Sequence, residues 1–255
     1  MDLQLVTKVA VVTGSSKGLG RAIAWGLAQE GCRVVLCARG EAALNAATTE
    51  AVEQFGANNI TSVVADVCTP AGATAAIKAA VDRWGHVDIL INNVGGSGAR
   101  TFQEMDDADL QQAMDRNLWG TMRTSKACVP FMQAGSSIVN VASIWGRESG
   151  GAPGYNAAKA AVISLSKTMA RDLIGQGIRV CCVAPGSILF PGGGWERRQK
   201  ADPQAIAEFV DREIPAGRFG TPEELASVVT FLASPRASWV VGACLTVDGG
   251  QSRAF

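Results

Sequence analysis

The sequence predicts an α/β protein built on one doubly wound parallel sheet of about seven strands, with helices on both faces. Three observations carry that expectation. Short, apolar, β-branched runs recur at regular intervals, alanine-rich segments of helical length lie between them, and the first run ends in a glycine-rich turn that leads straight into a helical pattern. Strands are expected at residues 9–13, 34–38, 60–65, 89–91, 138–141, 180–184 and 243–247, where near-continuous hydrophobicity marks strands covered on both sides. Helices are expected at 22–30, 42–55, 71–84 and 155–173. In the last of these, Val162, Leu165, Met169 and Leu173 fall at helical spacing and form a core face, while Ala157, Ala158 and Ala161 let a neighbouring backbone come close. The 255 residues fit one large unit, so a single domain over 1–255 is expected. The irregular stretch is 185–203, where Pro191-Gly192-Gly193-Gly194 precedes Trp195 and the charged Glu196-Arg197-Arg198; it reads as a substrate lid at about 187–203.

Composition narrows the function. Lys and Arg number 23 and Asp and Glu 23, which leaves no excess positive charge for phosphate backbones or anionic lipid. Neither nucleic acid nor a membrane is an expected partner. No apolar run reaches the roughly 18 residues of a membrane span, and Met1-Asp2-Leu3-Gln4 has no basic and apolar leader, so a cytoplasmic location is expected. The seven cysteines form no CxxC pair, and several lie in apolar stretches; they read as buried thiols rather than disulfides or metal ligands. The single histidine, His86, lies in a polar turn, which leaves no histidine-based hydrolase and no zinc cluster, and no metal is expected.

Two constellations carry chemistry. In Thr13-Gly14-Ser15-Ser16-Lys17-Gly18-Leu19-Gly20, glycines permit a tight turn and close approach of a phosphate, while the N–H groups and dipole of the next helix attract negative charge. The spacing is neither G-x-G-x-x-G nor a P-loop. The second is Ser143 at a strand end, followed by Tyr155 and Lys159 four residues apart on one helix face. An ammonium beside a phenol favours the phenolate, and bringing tyrosine from about 10 toward neutrality represents roughly 4 kcal/mol. Tyr155, the only tyrosine in the chain, is thereby expected to exchange protons near neutral pH.

With these residues in place, the sequence resembles the short-chain dehydrogenase/reductase family over essentially its whole length. Thr13-Gly14-x-x-x-Gly18-x-Gly20 is similar to the family's cofactor loop, Asp66 to its adenine-contacting aspartate, and Asn92-Asn93-Val94-Gly95 to its N-N-A-G signature with Val94 in place of alanine. Asn117, Ser143, Tyr155 and Lys159 match its catalytic tetrad in order and spacing. The resemblance implies a Rossmann-type fold and a division of labour. Tyr155 exchanges a proton with the substrate oxygen, Lys159 lowers its pKa and binds the nicotinamide ribose, Ser143 orients the carbonyl, and Asn117 supports a water relay to the lysine. It implies a nicotinamide coenzyme held by Gly14, Ser16, Lys17, Gly18, Leu19, Gly20, Arg39, Asp66, Val67, Asn93, Gly95, Tyr155, Lys159, Pro185, Gly186 and Ile188. Many members carry a threonine shortly after the Pro185-Gly186 turn, whereas this chain has Phe190. Family members are commonly tetramers, so a homo-oligomer is implied.

An enzyme preferring NAD usually ends its second strand with an acid that accepts from the ribose hydroxyls. Here Ala38 and Arg39 stand there instead, and Lys17 in the loop supplies a second cation, so NADP(H) is the expected coenzyme with NAD(H) possible. The substrate pocket is expected from Gly96 and Ser97, Trp145, Phe190 and Trp195, and such a Trp/Phe lining suits an apolar or partly aromatic carbonyl. Arg147 is expected to pair with Glu148 or another acid. The expected reaction is hydride transfer between NADP(H) and a small carbonyl or secondary alcohol. Alternatives are 3-oxoacyl-thioester reduction, disfavoured because 130–137 and 174–177 hold no basic residue for a carrier protein, and a non-catalytic nucleotide-binding regulator, disfavoured by the presence of both Tyr155 and Lys159.

Overall fold

Strands β1 (Val9–Thr13), β2 (Arg33–Ala38), β3 (Ile60–Val64), β4 (Ile89–Asn92), β5 (Ser137–Val141), β6 (Arg179–Pro185) and β7 (Cys244–Val247) form one sheet in the order β3-β2-β1-β4-β5-β6-β7. All pairings are parallel, with Val11 opposite Val35, Leu90 opposite Ile138 and Cys182 opposite Cys244. The computed structural model describes residues 1–99 and 101–254. Each central strand is followed by a helix that returns the chain to the start of the sheet: α1 (Gly18–Gln29), α2 (Glu41–Phe55), α3 (Pro70–Trp84), α4 (Asp107–Met114) continuing through a π-helical turn (Asp115–Trp119) into α5 (Gly120–Cys128), and α6 (Pro153–Leu173). After β6 come α7 (Gly194–Ala201), α8 (Pro203–Glu213) and α9 (Pro222–Ala233).

The side-chain period of two sorts the core into layers. Ala10, Val12, Leu36, Ile91 and Val139 point to one face and meet Ile23 and Leu27 of α1, Leu44 of α2 and Val229 of α9. Val9, Val11, Val35, Leu90 and Ile138 point to the other and meet Ile77 and Ala80 of α3 and Ala170 of α6. Both faces being dry explains why these strands are hydrophobic at consecutive positions.

Helix boundaries follow local chemistry. Thr69 accepts from Gly72 N at the start of α3, where Pro70 occupies the first turn, and Gly85 ends that helix in the left-handed region. Asp106–Asp109 and Thr221–Glu224 form reciprocal capping boxes on α4 and α9. The C-terminus of α9 is held from inside. Buried Arg179 on β6 donates to Leu232 O at 3.0 Å and Ser234 O at 2.8 Å, and Ser137 Oγ donates to Ala233 O. These bonds satisfy terminal carbonyls that would otherwise be orphaned.

Two sequence expectations change. The stretch 185–203, irregular by its sequence, carries regular structure at both ends: Ile188 bridges Gly220 in parallel, Leu189 N donates to Gly220 O, and α7 begins at Gly194. The first helix starts at Gly18, four residues before the expected 22, because Gly18, Leu19 and Gly20 already turn with it. His86 is a satisfied turn residue, its ring nitrogens at 3.0 Å from Trp84 O and 3.0 Å from Asp88 Oδ2. All seven cysteines are free thiols, five buried and two, Cys68 and Cys244, partly so. Among the described residues no helix is long and apolar enough to cross a membrane.

Candidate active site

Strand order reverses between β1 and β4, and the loops leaving their C-terminal ends diverge there, which in open α/β sheets is where ligands bind. A cleft of about 1020 Å³ opens at this point and runs from the end of β2 to the start of α6.

Its floor is the glycine loop. Gly14 and Gly18 have φ of +67° and +58°, which glycine adopts without strain. A Cβ on Gly20 would collide with Gly14 O and Asn93 Nδ2. Asn93 holds the loop from the β4 side, donating through Nδ2 to Thr13 O at 3.0 Å, while its backbone N–H donates to Thr13 Oγ1 at 2.9 Å. Ser15 pins the other side, donating to Val12 O and accepting from Cys37 N, both at 2.8 Å. No side chain caps α1 and no acid stands in its first turn, so its positive end faces the cleft uncompensated.

At the β2 end, Arg39 Nη1 lies 3.6 Å from Asp66 Oδ2 with its side chain 64% exposed, and Asp66 Oδ1 accepts from Cys68 N. Lys17, Arg39, Lys159 and Arg197 line the cleft against one carboxylate, Asp66. In a chain of zero net charge that is a concentration of positive potential suited to a polyanion. The cation set and the crowded glycines fit a dinucleotide: phosphate groups would be held by the α1 N-terminus, Lys17 and Arg39, and the adenine end by Asp66 and Val67.

At the α6 end, Ser143 follows β5, accepts from Trp145 N at 3.2 Å and hydrogen-bonds with Tyr155. Pro153 in the first turn starts α6, which places Tyr155 and Lys159 on one face at the cleft. Lys159 is buried, and its Nζ donates to Val141 O at 2.7 Å and stands 5.6 Å from the Tyr155 ring centroid. Burial brings its pKa down to about 8, with Cys182 nearby acting the other way. Burial raises the half-buried Tyr155, partly offset by the Ser143 hydrogen bond. Desolvation outweighs the Ser143 bond at Tyr155, while the Lys159 ammonium is directed to a carbonyl of β5.

Asn117 sits in the π-helical turn between α4 and α5, a local widening often found at functional sites. Its Oδ1 accepts from Gly96 N at 3.1 Å and its Nδ2 donates to Gly96 O at 3.0 Å and Ala113 O at 2.8 Å. A Cβ on Gly95 would stand 2.7 Å from Asn117 Oδ1 and 3.0 Å from Lys159 Nζ, so glycine is required for the two side chains to converge.

Of the expected residues, Gly14, Ser16, Lys17, Leu19, Arg39, Asp66, Val67, Asn93, Gly95, Gly96, Ser143, Tyr155, Lys159, Pro185, Gly186 and Phe190 line the cleft. Asn117 stands immediately behind it. Gly18 and Gly20 shape the floor, and Gly18 lies under the Phe190 ring. Three do not line it. Ile188 packs toward Gly220, Trp145 lies against Gly150 and Gly151, and Trp195 stacks on Phe209 at 4.7 Å and Phe219 at 5.1 Å. The expected Arg147–Glu148 pair does not form either: Arg147 Nη1 donates to Thr246 Oγ1, and Glu148 Oε2 accepts from the N–H groups of Arg253 and Ala254. Sequence reasoning missed Arg197 as a cleft residue; its place three positions after Gly194, in the first turn of α7, becomes informative only once that helix is seen.

A family model described as enoyl-(acyl carrier protein) reductase matches residues 14–252. A 3-oxoacyl-[acyl-carrier-protein] reductase from Vibrio cholerae is 37% identical over 252 residues, 98% of this chain and 99% of that protein. The 2-dehydro-3-deoxy-D-gluconate 5-dehydrogenase of Escherichia coli is 36% identical over 250 residues, 95% of this chain and 94% of that protein. The crystal structure of L-sorbose reductase from Gluconobacter frateurii, complexed with NADPH and L-sorbose, superposes with a TM-score of 0.93 at 36% identity and covers 100% of both chains.

Proposed function

The chain belongs to the short-chain dehydrogenase/reductase family of NAD(P)-dependent oxidoreductases, and within it we propose NADPH-dependent reduction of a small, polar ketone with Tyr155 as general acid. The observation that carries this reading is the convergence of Ser143, Tyr155 and Lys159 at one end of a cleft whose other end is cationic. Bound NADPH supplies the hydride. The chain's own residues do the rest. Ser143 orients the carbonyl oxygen, and Tyr155, kept protonated at neutral pH by burial, donates the proton that the alkoxide oxygen takes up. Lys159 stays cationic below about pH 8 and places positive charge beside that oxygen. Asn117, by clamping Gly96, holds the β4 loop where Gly95 closely approaches Lys159.

Lys17 and Arg39 would receive a 2′-phosphate at the end of β2, where no acid of that strand repels it. The L-sorbose reductase complex with NADPH supports the same coenzyme. The reacting end is lined by Gly95, Gly96, Ser97 and Gly193 rather than by Trp145 and Trp195, which favours a small, polar substrate over an aromatic one. The sorbose and gluconate relatives act on molecules of that kind. Phe190 to Gly194 form the closing element in this proposal: Phe190 covers Gly18, Gly192 has φ of +73°, and both flanks are anchored, at the Ile188–Gly220 bridge and at the Trp195 stack. The family resemblance also supports a homotetramer.

A second reading, 3-oxoacyl-thioester reduction, is favoured by the Vibrio cholerae relative. Loss of NADPH absorbance with a panel of ketoses, simple ketones and 3-oxoacyl thioesters separates the two. A ketone is expected to turn over and Tyr155→Phe to abolish that turnover with coenzyme affinity nearly intact; near wild-type turnover by Tyr155→Phe would overturn the mechanism.

A further inference from the structure

Cys182 and Cys244 take no part in the mechanism above. They lie directly opposite each other on β6 and β7, and their sulfurs stand 3.6 Å apart. Cys182 Sγ also reaches Val183 O at 3.6 Å; among the other thiols, Cys32 donates to Leu5 O, Cys181 to Val240 O and Cys68 to Arg116 O, and Cys128 packs into the layer with Ile77. Cys182 is buried, while Cys244 on the edge strand is partly exposed, so a small solute can reach one member of the pair. The two cations facing the pair are Arg147 beside Cys244 and Lys159 beside Cys182. The sulfur–sulfur contact, then Arg147, draws the Cys244 thiol down, while the same contact and burial push Cys182 up. Cys244, the more exposed of the two, is the sulfur that a small oxidant meets first, and buried Cys182 lies behind it as its partner.

We propose that Cys182 and Cys244 form a peroxide-sensitive dithiol site whose reversible disulfide lowers activity through Lys159. The Cys244 thiolate attacks one oxygen of hydrogen peroxide; the O–O bond breaks, hydroxide leaves, and Cys244 becomes a sulfenic acid. Cys182 sulfur then attacks Cys244 sulfur, the S–O bond breaks, and water leaves with the Cys182 proton. Two thiols are oxidised by two electrons in all, and the peroxide oxygen atoms end reduced. Neighbouring strands lie about 4.8 Å apart, within the Cα range of a disulfide, and the sulfurs need only close from 3.6 Å to about 2.05 Å.

The consequence for catalysis follows from what Cys182 touches. It packs with Ala142, which precedes Ser143, and with Val162, which lies one turn beyond Lys159 on α6. Drawing its sulfur toward β7 withdraws it from both contacts and from the neighbourhood of the ammonium. The activity readout rests on the reductase reading, whereas the cross-link does not, so the two fail separately.

The test uses reduced full-length protein exposed to hydrogen peroxide, alkylated and mapped by peptide mass. A linked peptide containing Cys182 and Cys244, with a mass loss of about 2 Da, is expected. NADPH oxidation should fall by about tenfold and return with dithiothreitol, while Cys244→Ser keeps its basal rate and resists peroxide. Cys182→Ala serves as the second variant should Cys244→Ser fold poorly, and it should show no cross-link. If both thiols remain alkylatable at peroxide levels that inactivate the enzyme, or if Cys244→Ser is inactivated as fast as wild type, the site is refuted. A cross-link that leaves the rate unchanged would overturn the coupling to Lys159.

Discussion

Replacing Lys159 by methionine should abolish turnover and at the same time stabilise the fold. The lysine is 3% exposed, and its ammonium is held by one carbonyl, Val141 O, at 2.7 Å. Burial lowers its pKa from 10.5 to about 8, which corresponds to about 3 kcal/mol of destabilisation whenever the group is charged. Methionine fills a similar volume without charge but leaves Val141 O without its donor, returning about 1 kcal/mol. A net gain of about 2 kcal/mol at pH 7 follows. The dependence on pH identifies the cause. Below about pH 8 the amine carries its proton folded and unfolded, so the whole penalty is present. Between about 8 and 10.5 the unfolded chain still binds that proton and the folded chain has released it, so wild type gains on the variant as pH rises, and above 10.5 the penalty is gone. Urea unfolding of both proteins at pH 7 and pH 10 measures this difference. A variant no more stable than wild type at pH 7, or an advantage that does not shrink at pH 10, would refute the assignment of the cost to a buried charge.

Arg39→Ala should weaken NADPH binding by roughly tenfold and leave NADH nearly unchanged, as fluorescence titration would measure; one charge-assisted contact is worth about 1.5–3 kcal/mol, and an exposed site lies at the low end. The same change should leave stability untouched, because the 3.6 Å contact with Asp66 is an exposed one. Trp195→Ala removes the ring that joins α7 to Phe209 and Phe219, so about 3 kcal/mol should be lost from that cluster. Hydrogen exchange should accelerate in 190–201 and substrate KM should rise; unchanged exchange there would show that Trp195 does not anchor the closing element.

The residues legible in the sequence are those whose placement depends on near neighbours or on simple periodicity. Strands such as Val34–Cys37 announced themselves because both faces of the sheet are covered, and Tyr155 and Lys159 because four residues make a helical turn. The place of Trp195 is not legible locally, because glycines and charges surround it in sequence while its partners Phe209 and Phe219 come later in the chain. Arg147 and Glu148 are adjacent, yet each takes a partner about a hundred residues away, in β7 and in the C-terminal tail. Helical spacing likewise placed Lys159 beside Tyr155 but not its bond to Val141, which comes from β5.

That last bond bears on the proposed proton transfer, because it fixes where the ammonium sits. Spacing alone suggests a lysine that makes tyrosine more acidic. Burial raises Tyr155 and lowers Lys159 to about 8, so both groups carry their protons at neutral pH. A phenol held above its ordinary value keeps its proton through substrate binding at neutral pH and serves as an acid rather than a base. Once that proton has passed to the substrate oxygen, Lys159, on the same helix face and 5.6 Å from the Tyr155 ring centroid, is the cation placed to stabilise the phenolate left behind. In the proposed reduction, the burial that costs the fold about 3 kcal/mol at Lys159 thus keeps a cation near the group on which proton donation leaves a negative charge.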